Sequence, residues 1–407
     1  MKRTWSEPNP LIRNRAELCI AQGSLTNSKR PSVFIEGIYP THAKSGRGVT
    51  LITDEGRFID YCGALGSNLY GYGNYTVINS VTSQLMGGSL YSLGSHLEVE
   101  VAERLKGLFS FVDLWKFGKN GSDVAGAALK IARAYTGRDL VLSDGYHGFN
   151  DDFISMSPPA LGIPRRGWIK PLVDNWDLIP HAACVIIEPV ILDYSLERKA
   201  ELARIREECT KHGTVLIFDE IITGFRFKKL CVAKYFGIEP DLILLGKAMG
   251  GGLPLSAVGG KKELMNCGEY FYSGTFFGDT VALAACRAVI EMNTNAKLKY
   301  SIDELWSSGQ YFLDLFNALD ERVQIVGYPT RGAFQGDERT KALFWQEAAK
   351  AKILFGPSWF FGYSSPEFTE LVINVCRDIF NRIKSNMVEL EGQMPKKPFA
   401  QSLRERS

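Results

Sequence analysis

The 407-residue sequence has no cysteine pair at C-x-x-C spacing; its eight cysteines, Cys19, Cys62, Cys184, Cys209, Cys231, Cys267, Cys286 and Cys376, are scattered singly. That pattern argues against a zinc site or a disulfide framework and fits free thiols in a reducing compartment, packed as small hydrophobes. No run of about 18 apolar residues is present to cross a bilayer as a helix. The opening Met-Lys-Arg-Thr-Trp-Ser-Glu-Pro-Asn-Pro lacks an apolar signal core, so a cytoplasmic location is expected. A net charge of +2 supplies no basic field of the kind a nucleic-acid-binding domain carries. Basic residues gather at both ends, at Lys2, Arg3, Arg13 and Arg15 and again at Lys396, Lys397, Arg404 and Arg406, where they read as solvated tails. Nucleotide fingerprints are missing too. There is no G-x-x-x-x-G-K-[ST], and no G-x-G-x-x-G follows a strand. Repeats and low-complexity segments are also absent.

What remains is an ordinary globular composition, 45% hydrophobic and 23% charged, at a length that calls for two or three domains. The first 30 residues are polar, with a helix expected near 10–22. Residues 47–62 form a hairpin around Asp54-Glu55-Gly56. The glycine- and tyrosine-rich stretch 63–73 reads as an ordered loop of the kind that contacts ligands. From about 75 to 290, helical and strand signals alternate. Helical spacing covers 76–86, 97–108, 123–136 (stopped by Gly137), 196–211 and 280–292. Short apolar runs fall at 114–117, 140–143, 182–187, 214–218 and 242–245. Such alternation indicates a doubly wound, mostly parallel α/β sheet. Beyond 290 a long helix over 295–319 leads into a strand–helix mixture. This gives an N-terminal segment (1–64) contributing to a smaller α+β domain, a large domain (65–290) and a C-terminal part (291–407).

The apolar runs end in chemistry. Leu242-Ile243-Leu244-Leu245 stops at Gly246-Lys247, followed by Gly250-Gly251-Gly252. A lysine at the C-terminal end of a strand lies where open α/β sheets bind ligands, and its amine can condense with a carbonyl cofactor; alternatively it merely caps the strand in water. Lys119-Asn120-Gly121-Ser122-Asp123 opens a helix. Its backbone N–H groups and the Ser122 hydroxyl suit a phosphate, although Ser122 or Asp123 could be only an N-cap. In Gly145-Tyr146-His147-Gly148, the phenol ring and the imidazole could lie flat on a ring. Asp219 ends a buried strand and needs a cation or donors; a protonated ring nitrogen would serve, as would Arg226. Glu188 ends another strand and could orient Asp219, a neighbouring amide or the substrate. Ser273-Gly274-Thr275, before the helix at 280, offers a second phosphate contact. Together these are a phosphate cup, a ring platform, an anion for a ring nitrogen and an amine, the set that pyridoxal 5′-phosphate requires.

The same residues, in the same order, carry a family resemblance. Gly121-Ser122-Asp123 with Ala127–Arg138, Gly145-Tyr146-His147-Gly148, Ile187-Glu188-Pro189-Val190, Phe218-Asp219-Glu220-Ile221-Ile222-Thr223-Gly224-Phe225-Arg226, Leu245–Leu255 and Gly274-Thr275 resemble a class III (ω-type) aminotransferase. The likeness is greatest to the glutamate-1-semialdehyde 2,1-aminomutase branch and runs from about residue 45 to 370. It implies a fold-type I pyridoxal-phosphate-dependent transferase, with a mostly parallel seven-stranded sheet flanked by helices and a smaller α+β domain. It also implies that Lys247 forms the Schiff base and acts as the proton-transfer base. Asp219 pairs with the pyridinium nitrogen, Tyr146 stacks on the ring and Ile221 packs on its other face. Gly121 and Ser122 hold the phosphate, with His147 and Glu188 beside the cofactor. Thr275 reaches the neighbouring site of a homodimer.

Departures from the family concern the substrate zone. Asp123 stands where a glutamate is usual and Val124 where a small residue is. The loop 68–72 lacks the usual histidine. Phe361 or its neighbour replaces a customary glutamate, in a stretch crowded by Phe355, Trp359, Phe360 and Tyr363. Arg331 and Arg13 are the candidates to bind a substrate carboxylate. The expected activity is transamination or amino-group migration on an amino-acid-like or amino-carbonyl substrate. Decarboxylation on the same scaffold, of an unusual or larger substrate, is the alternative. A catalytically dead scaffold is disfavoured by intact Lys247, Asp219 and Tyr146.

Overall fold

The computed structural model describes residues 10–155, 162–164, 167–298 and 300–396. These form two compact units, one spanning residues 75–302 and the other joining the chain before 75 to the chain from 303 on.

The 75–302 unit is built on a seven-stranded sheet. Its spatial order is Leu114–Gly118, Ser256–Gly260, Leu242–Leu245, Val215–Asp219, Cys184–Ile187, Val141–Asp144 and Ile169–Pro171. Ser256–Gly260 runs antiparallel to both its neighbours, and every other pairing is parallel. The expected mostly parallel sheet is therefore present. Its inner strands are wholly buried, which is why they read as unbroken apolar runs instead of alternating ones. The helix Gly121–Thr136 lays Val124, Ala127, Ala128, Ile131 and Ala132 into a core with Ile186, Ile217, Leu244 and Val258. It stops at Gly137, which takes the left-handed conformation at φ 67° that closes a helix.

In the other unit, Ala43–Arg47, Thr50–Thr53 and Gly56–Asp60 form an antiparallel meander, and Ile353–Leu354 adds a parallel edge. A second sheet of Val323–Tyr328, Arg331–Gly336 and Ser358–Phe360 carries helices Glu338–Lys350 and Thr369–Lys384 with it. The aromatic crowd of the sequence lies in this unit's core. Trp359, Phe355, Phe360 and Phe361 are buried; Tyr61 stacks on Phe355 at 5.2 Å, and Phe312 on Trp359 at 5.3 Å. Of the two candidate arginines, Arg13 is committed to Glu17, at 3.0 Å, and to Glu36.

The long helix expected over 295–319 is shorter, starting at Ile302 and ending at Asn317. One helix ends at Thr294, a single 3-10 turn covers Ala296–Leu298, and a new helix runs Ile302–Asn317. Asn295 is the reason: its Oδ1 accepts the Lys297 N–H at 3.1 Å, a local bond that competes with the helical ladder. The N-terminal helix ends at Cys19, short of residue 22. Among the described residues no helix is long and apolar enough to cross a membrane.

Candidate functional site

Strand register assembles the site. Asp144 lies opposite Ile187, Ile187 opposite Phe218, and Asp219 opposite Leu244. Four neighbouring parallel strands thus end level with one another, and their next residues are Gly145-Tyr146-His147, Glu188, Glu220 and Gly246-Lys247. Leu114–Gly118 runs in the same direction, because two antiparallel pairings separate it from Leu242–Leu245. It delivers Lys119-Asn120 and the start of helix Gly121–Thr136 to the same edge.

Asp219 is 5% exposed. Its Oδ2 accepts from His147 Nδ1 at 2.8 Å and its Oδ1 from the Ile221 N–H at 3.1 Å, which offsets the cost of burying a carboxylate. Asp219 therefore faces an imidazole. His147, 2% exposed, packs edge-on to Phe153. Burial alone would lower its pKa, but the hydrogen bond and charge of Asp219, aided by Glu188 and Asp144, raise it overall. Its other ring nitrogen, Nε2, is buried without a hydrogen-bond partner among the described residues. The two rings of this loop thus divide their tasks. His147 is spent on Asp219, and Tyr146, at 37% exposure, is the ring presented outward. Glu188 Oε1 accepts the Tyr146 N–H at 2.9 Å. Gly145, at φ 115°, passes so close that a Cβ would lie 2.9 Å from that oxygen. Burial, with the charges of Asp219 and Glu188, pushes the Tyr146 phenol up.

The helix start is closed by Asn120 as N-cap, so neither Ser122 nor Asp123 has that role. Asp123 Oδ2 turns back to accept the Asn120 N–H at 2.7 Å and the Lys119 N–H at 2.9 Å. The N–H groups of Gly121 and Ser122 sit in the first turn, at the positive end of the helix dipole. Ser122 is buried; its Oγ accepts the Phe149 N–H at 3.0 Å and its carbonyl accepts from Asn150 Nδ2 at 2.8 Å. Gly121 has no room for a side chain, since a Cβ would lie 2.6 Å from Ile221 Cδ1. The same isoleucine lies over Gly246, where a Cβ would come within 3.3 Å of its Cγ2.

Lys247 follows an extended Gly246 and takes φ +44°, opening the turn Lys247–Gly250. A non-glycine residue held in the left-handed region costs about 1–3 kcal/mol, and such strain concentrates at working sites. Thr275 is exposed, in a turn whose flanks are tied to the 117–119 segment by Tyr272 Oη donating to the Phe117 carbonyl and by the Asp279–Lys119 ion pair. It makes no hydrogen bond of its own to the strand-end groups among the described residues.

Two buried groups escaped the sequence reading. Arg198 clamps two strand ends, bonding Asp144 Oδ2 at 3.3 Å, the Glu188 carbonyl at 3.0 Å and the Pro189 carbonyl at 2.9 Å. Glu220 is fully buried; it accepts from Thr223 Oγ1 and the Val232 N–H, both at 2.7 Å, and from the Ala233 N–H at 2.8 Å. Burial and the adjacent Asp219 charge bring its pKa up to about 7, against the pull of these donors. Its signal was available: a second carboxylate directly after a buried strand end needs donors of its own.

This donor set suits pyridoxal 5′-phosphate: a buried carboxylate backed by an imidazole, an outward-facing phenol ring, free helix-start N–H groups over a side-chain-free glycine, and a strained lysine on the adjacent strand end. Comparison with known proteins agrees. The class III aminotransferase family matches residues 172–353. A glutamate-1-semialdehyde 2,1-aminomutase of Wigglesworthia glossinidia brevipalpis is 29% identical over 393 residues, covering 84% of this chain and 89% of that protein. One from Archaeoglobus fulgidus is 32% identical over 280 residues, covering 62% and 67%. Among solved structures, the pyridoxal-phosphate internal aldimine form of the FumI protein of Sphingopyxis sp. MTA144 superposes with a TM-score of 0.86 at 22% identity. It covers 95% of this chain and 99% of that one, a likeness of fold.

Proposed function

The chain belongs to the class III aminotransferase family, and from that premise we propose that it transfers or relocates the amino group of an amino-acid-like or amino-carbonyl substrate, with Lys247 as the residue that holds the cofactor and moves the proton. It is a pyridoxal-phosphate-dependent aminotransferase or aminomutase. The observation that carries the assignment of roles is the buried Asp219–His147 pair, one strand from the strained Lys247.

When bound, pyridoxal 5′-phosphate supplies an aldehyde that condenses with amines and a protonated ring that accepts electrons from the carbon losing its proton. The chain's own residues do the rest. Asp219 keeps a proton on the ring nitrogen, and His147 holds Asp219 in place. Tyr146 and Ile221 would pack against the ring. The N–H groups of Gly121 and Ser122, with the Ser122 hydroxyl, bind the phosphate. Glu188 fixes the Tyr146 backbone. The Nζ of Lys247 takes a proton from one carbon and returns it to another, as general base and then general acid. Thr275 would complete the phosphate site from the second subunit of a homodimer, in the cytoplasm. Glutamate-1-semialdehyde, the substrate in the relatives' name, is one candidate; a decarboxylase reading has no such support.

The test is a half-reaction screen. Candidate amines are mixed with holoenzyme, the visible spectrum is followed and products are weighed. An oxo-product with aminated cofactor, or an isomerised substrate, is expected. Carbon dioxide with the amine retained would move the reading to decarboxylation. If Lys247→Ala leaves the visible absorption of the purified protein unchanged, the role of Lys247 is wrong.

A further inference from the structure

Glu220 is used by none of the steps above, yet it is the most completely buried carboxyl at the strand ends. It follows Asp219 in the chain, and its backbone N–H donates to the Leu244 carbonyl of the strand that leads to Lys247, at 3.0 Å. Its side chain turns the other way and gathers three donors, the Thr223 hydroxyl and the N–H groups of Val232 and Ala233. Those donors lie on the segment 221–233, which leaves the strand end and returns to it. The segment does not hold its shape by backbone preference: Phe225, Lys229 and Leu230 all take left-handed φ, at 60°, 55° and 71°. At its head, Ile221 fills the space over both Gly121 and Gly246.

We propose that Glu220 is a positioning residue for the cofactor site: its carboxylate, by binding Thr223, Val232 and Ala233 at once, holds the 221–231 loop so that Ile221 stays seated over Gly121 and Gly246. The proposal rests on the reading of that edge as the pyridoxal-phosphate site. Each carboxylate oxygen accepts a backbone N–H, Val232 on Oε2 and Ala233 on Oε1, so an amide side chain must turn one of them away, and protonation weakens the acceptor on the oxygen that takes the proton. The other titratable groups around it are Asp219 on its own strand, Cys231, whose thiol burial pushes up, and Lys234 beyond Cys231. Asp219 opposes the charge on Glu220, whose pKa of about 7 places the change near neutral pH.

The test is cofactor affinity, read from the visible absorbance of the holoenzyme between pH 6 and 8.5, in wild type, Glu220→Gln and Thr223→Val. Wild type should bind more weakly below pH 7, with an inflection that Glu220→Gln abolishes. At pH 8 Glu220→Gln should bind about tenfold more weakly, the scale of one lost hydrogen bond to a charged group. Thr223→Val removes a donor and keeps the charge, so the inflection should persist but move to higher pH. Titration of the cofactor's own phosphate is common to all three proteins and drops out of the comparison. Equal affinity and an unchanged inflection in Glu220→Gln, with only a lower thermal midpoint, would overturn the proposal and leave Glu220 a structural residue. If Glu220→Gln does not fold, an inflection unmoved in Thr223→Val overturns it alone. Loss of the visible band in Lys247→Ala with no effect of Glu220→Gln would discard the positioning role and keep the function.

Discussion

The two units bury different things. At its strand ends the 75–302 unit buries polar groups that are costly to bury: Asp219, His147, Glu220 and Glu188. The other unit buries rings, with Tyr61, Phe312, Phe316, Phe344, Phe355, Trp359 and Phe361 in stacked, tilted and edge contacts between 5.1 and 6.5 Å. The difference is one of purpose. Ring burial contributes stability, about 0.5–1.5 kcal/mol per pair beyond the area removed from water. Hydrogen-bonded buried polar groups contribute little net stability, because the cost of burying them roughly cancels what their bonds return. Substitutions in the ring core should therefore lower stability and spare chemistry, and substitutions at the strand ends should do the reverse.

The largest effect should come from the rings. Trp359→Ala removes a fully buried indole stacked on Phe312. A loss of about 3–5 kcal/mol is expected, seen as a lower midpoint in thermal or urea unfolding, while the visible cofactor spectrum of the folded protein at low temperature stays as in wild type. A changed spectrum would break the division between the units. Asp219→Asn is the converse. It keeps the shape and one acceptor but loses the charge, so turnover should fall by about 10²–10³, the scale of one preorganised electrostatic partner, with little change in thermal midpoint. A collapse of stability instead would mean that Asp219 is a structural ion.

Gly121→Ala tests the border between the two behaviours. The new Cβ would meet Ile221 Cδ1 at 2.6 Å, an overpacking that costs about 1–3 kcal/mol. The cost should appear as weaker cofactor binding, and Gly121→Ala combined with Ile221→Val should recover part of it, because residues in contact couple. Simple additivity of the two substitutions would place Ile221 elsewhere.

What the sequence made legible follows the same contrast. Buried parallel strands are short apolar runs cut off by a polar residue, so Glu188, Asp219 and Lys247 stood out with their strand ends. Direction within a loop was not legible. Tyr146 and His147 are neighbours after a strand, where alternation no longer applies, and only the structure separates the exposed ring from the one bonded to Asp219. Aromatic content misled for a related reason. Phe355, Trp359, Phe360 and Phe361 would look alike in a pocket and in a core, and the partners that bury them, Tyr61 and Phe312, lie far off in the chain. Thr275 is a third kind of case, because a residue expected to serve a second subunit has no signature in one chain.

The smallest effect sharpens the comparison most, because it turns on two buried glutamates with opposite surroundings. Glu220 meets neutral donors and a neighbouring carboxylate, and its pKa is raised to about 7. Glu347 meets Lys350 Nζ at 2.9 Å, Arg382 Nη2 at 2.7 Å and Gln346 Nε2 at 3.2 Å. Burial alone would raise its pKa, but these hydrogen bonds and the Lys350 charge bring it below the ordinary value of 4.5. A lowered carboxyl adds stability above its unfolded pKa and loses it as pH falls through the folded one; a raised carboxyl adds stability below its unfolded pKa and loses it as pH rises through the folded one. Glu347→Gln should therefore flatten the acid limb of a plot of thermal midpoint against pH, below about pH 4.5. Glu220→Gln should flatten the limb that falls between about pH 4.5 and 7. Lys350 and Arg382 keep part of their surface in water, so the Glu347 effect is screened to a few degrees at most. If both variants flatten the same limb, the surroundings of the two carboxyls do not differ as their hydrogen bonds imply, and the contrast between the units fails at its most sensitive point.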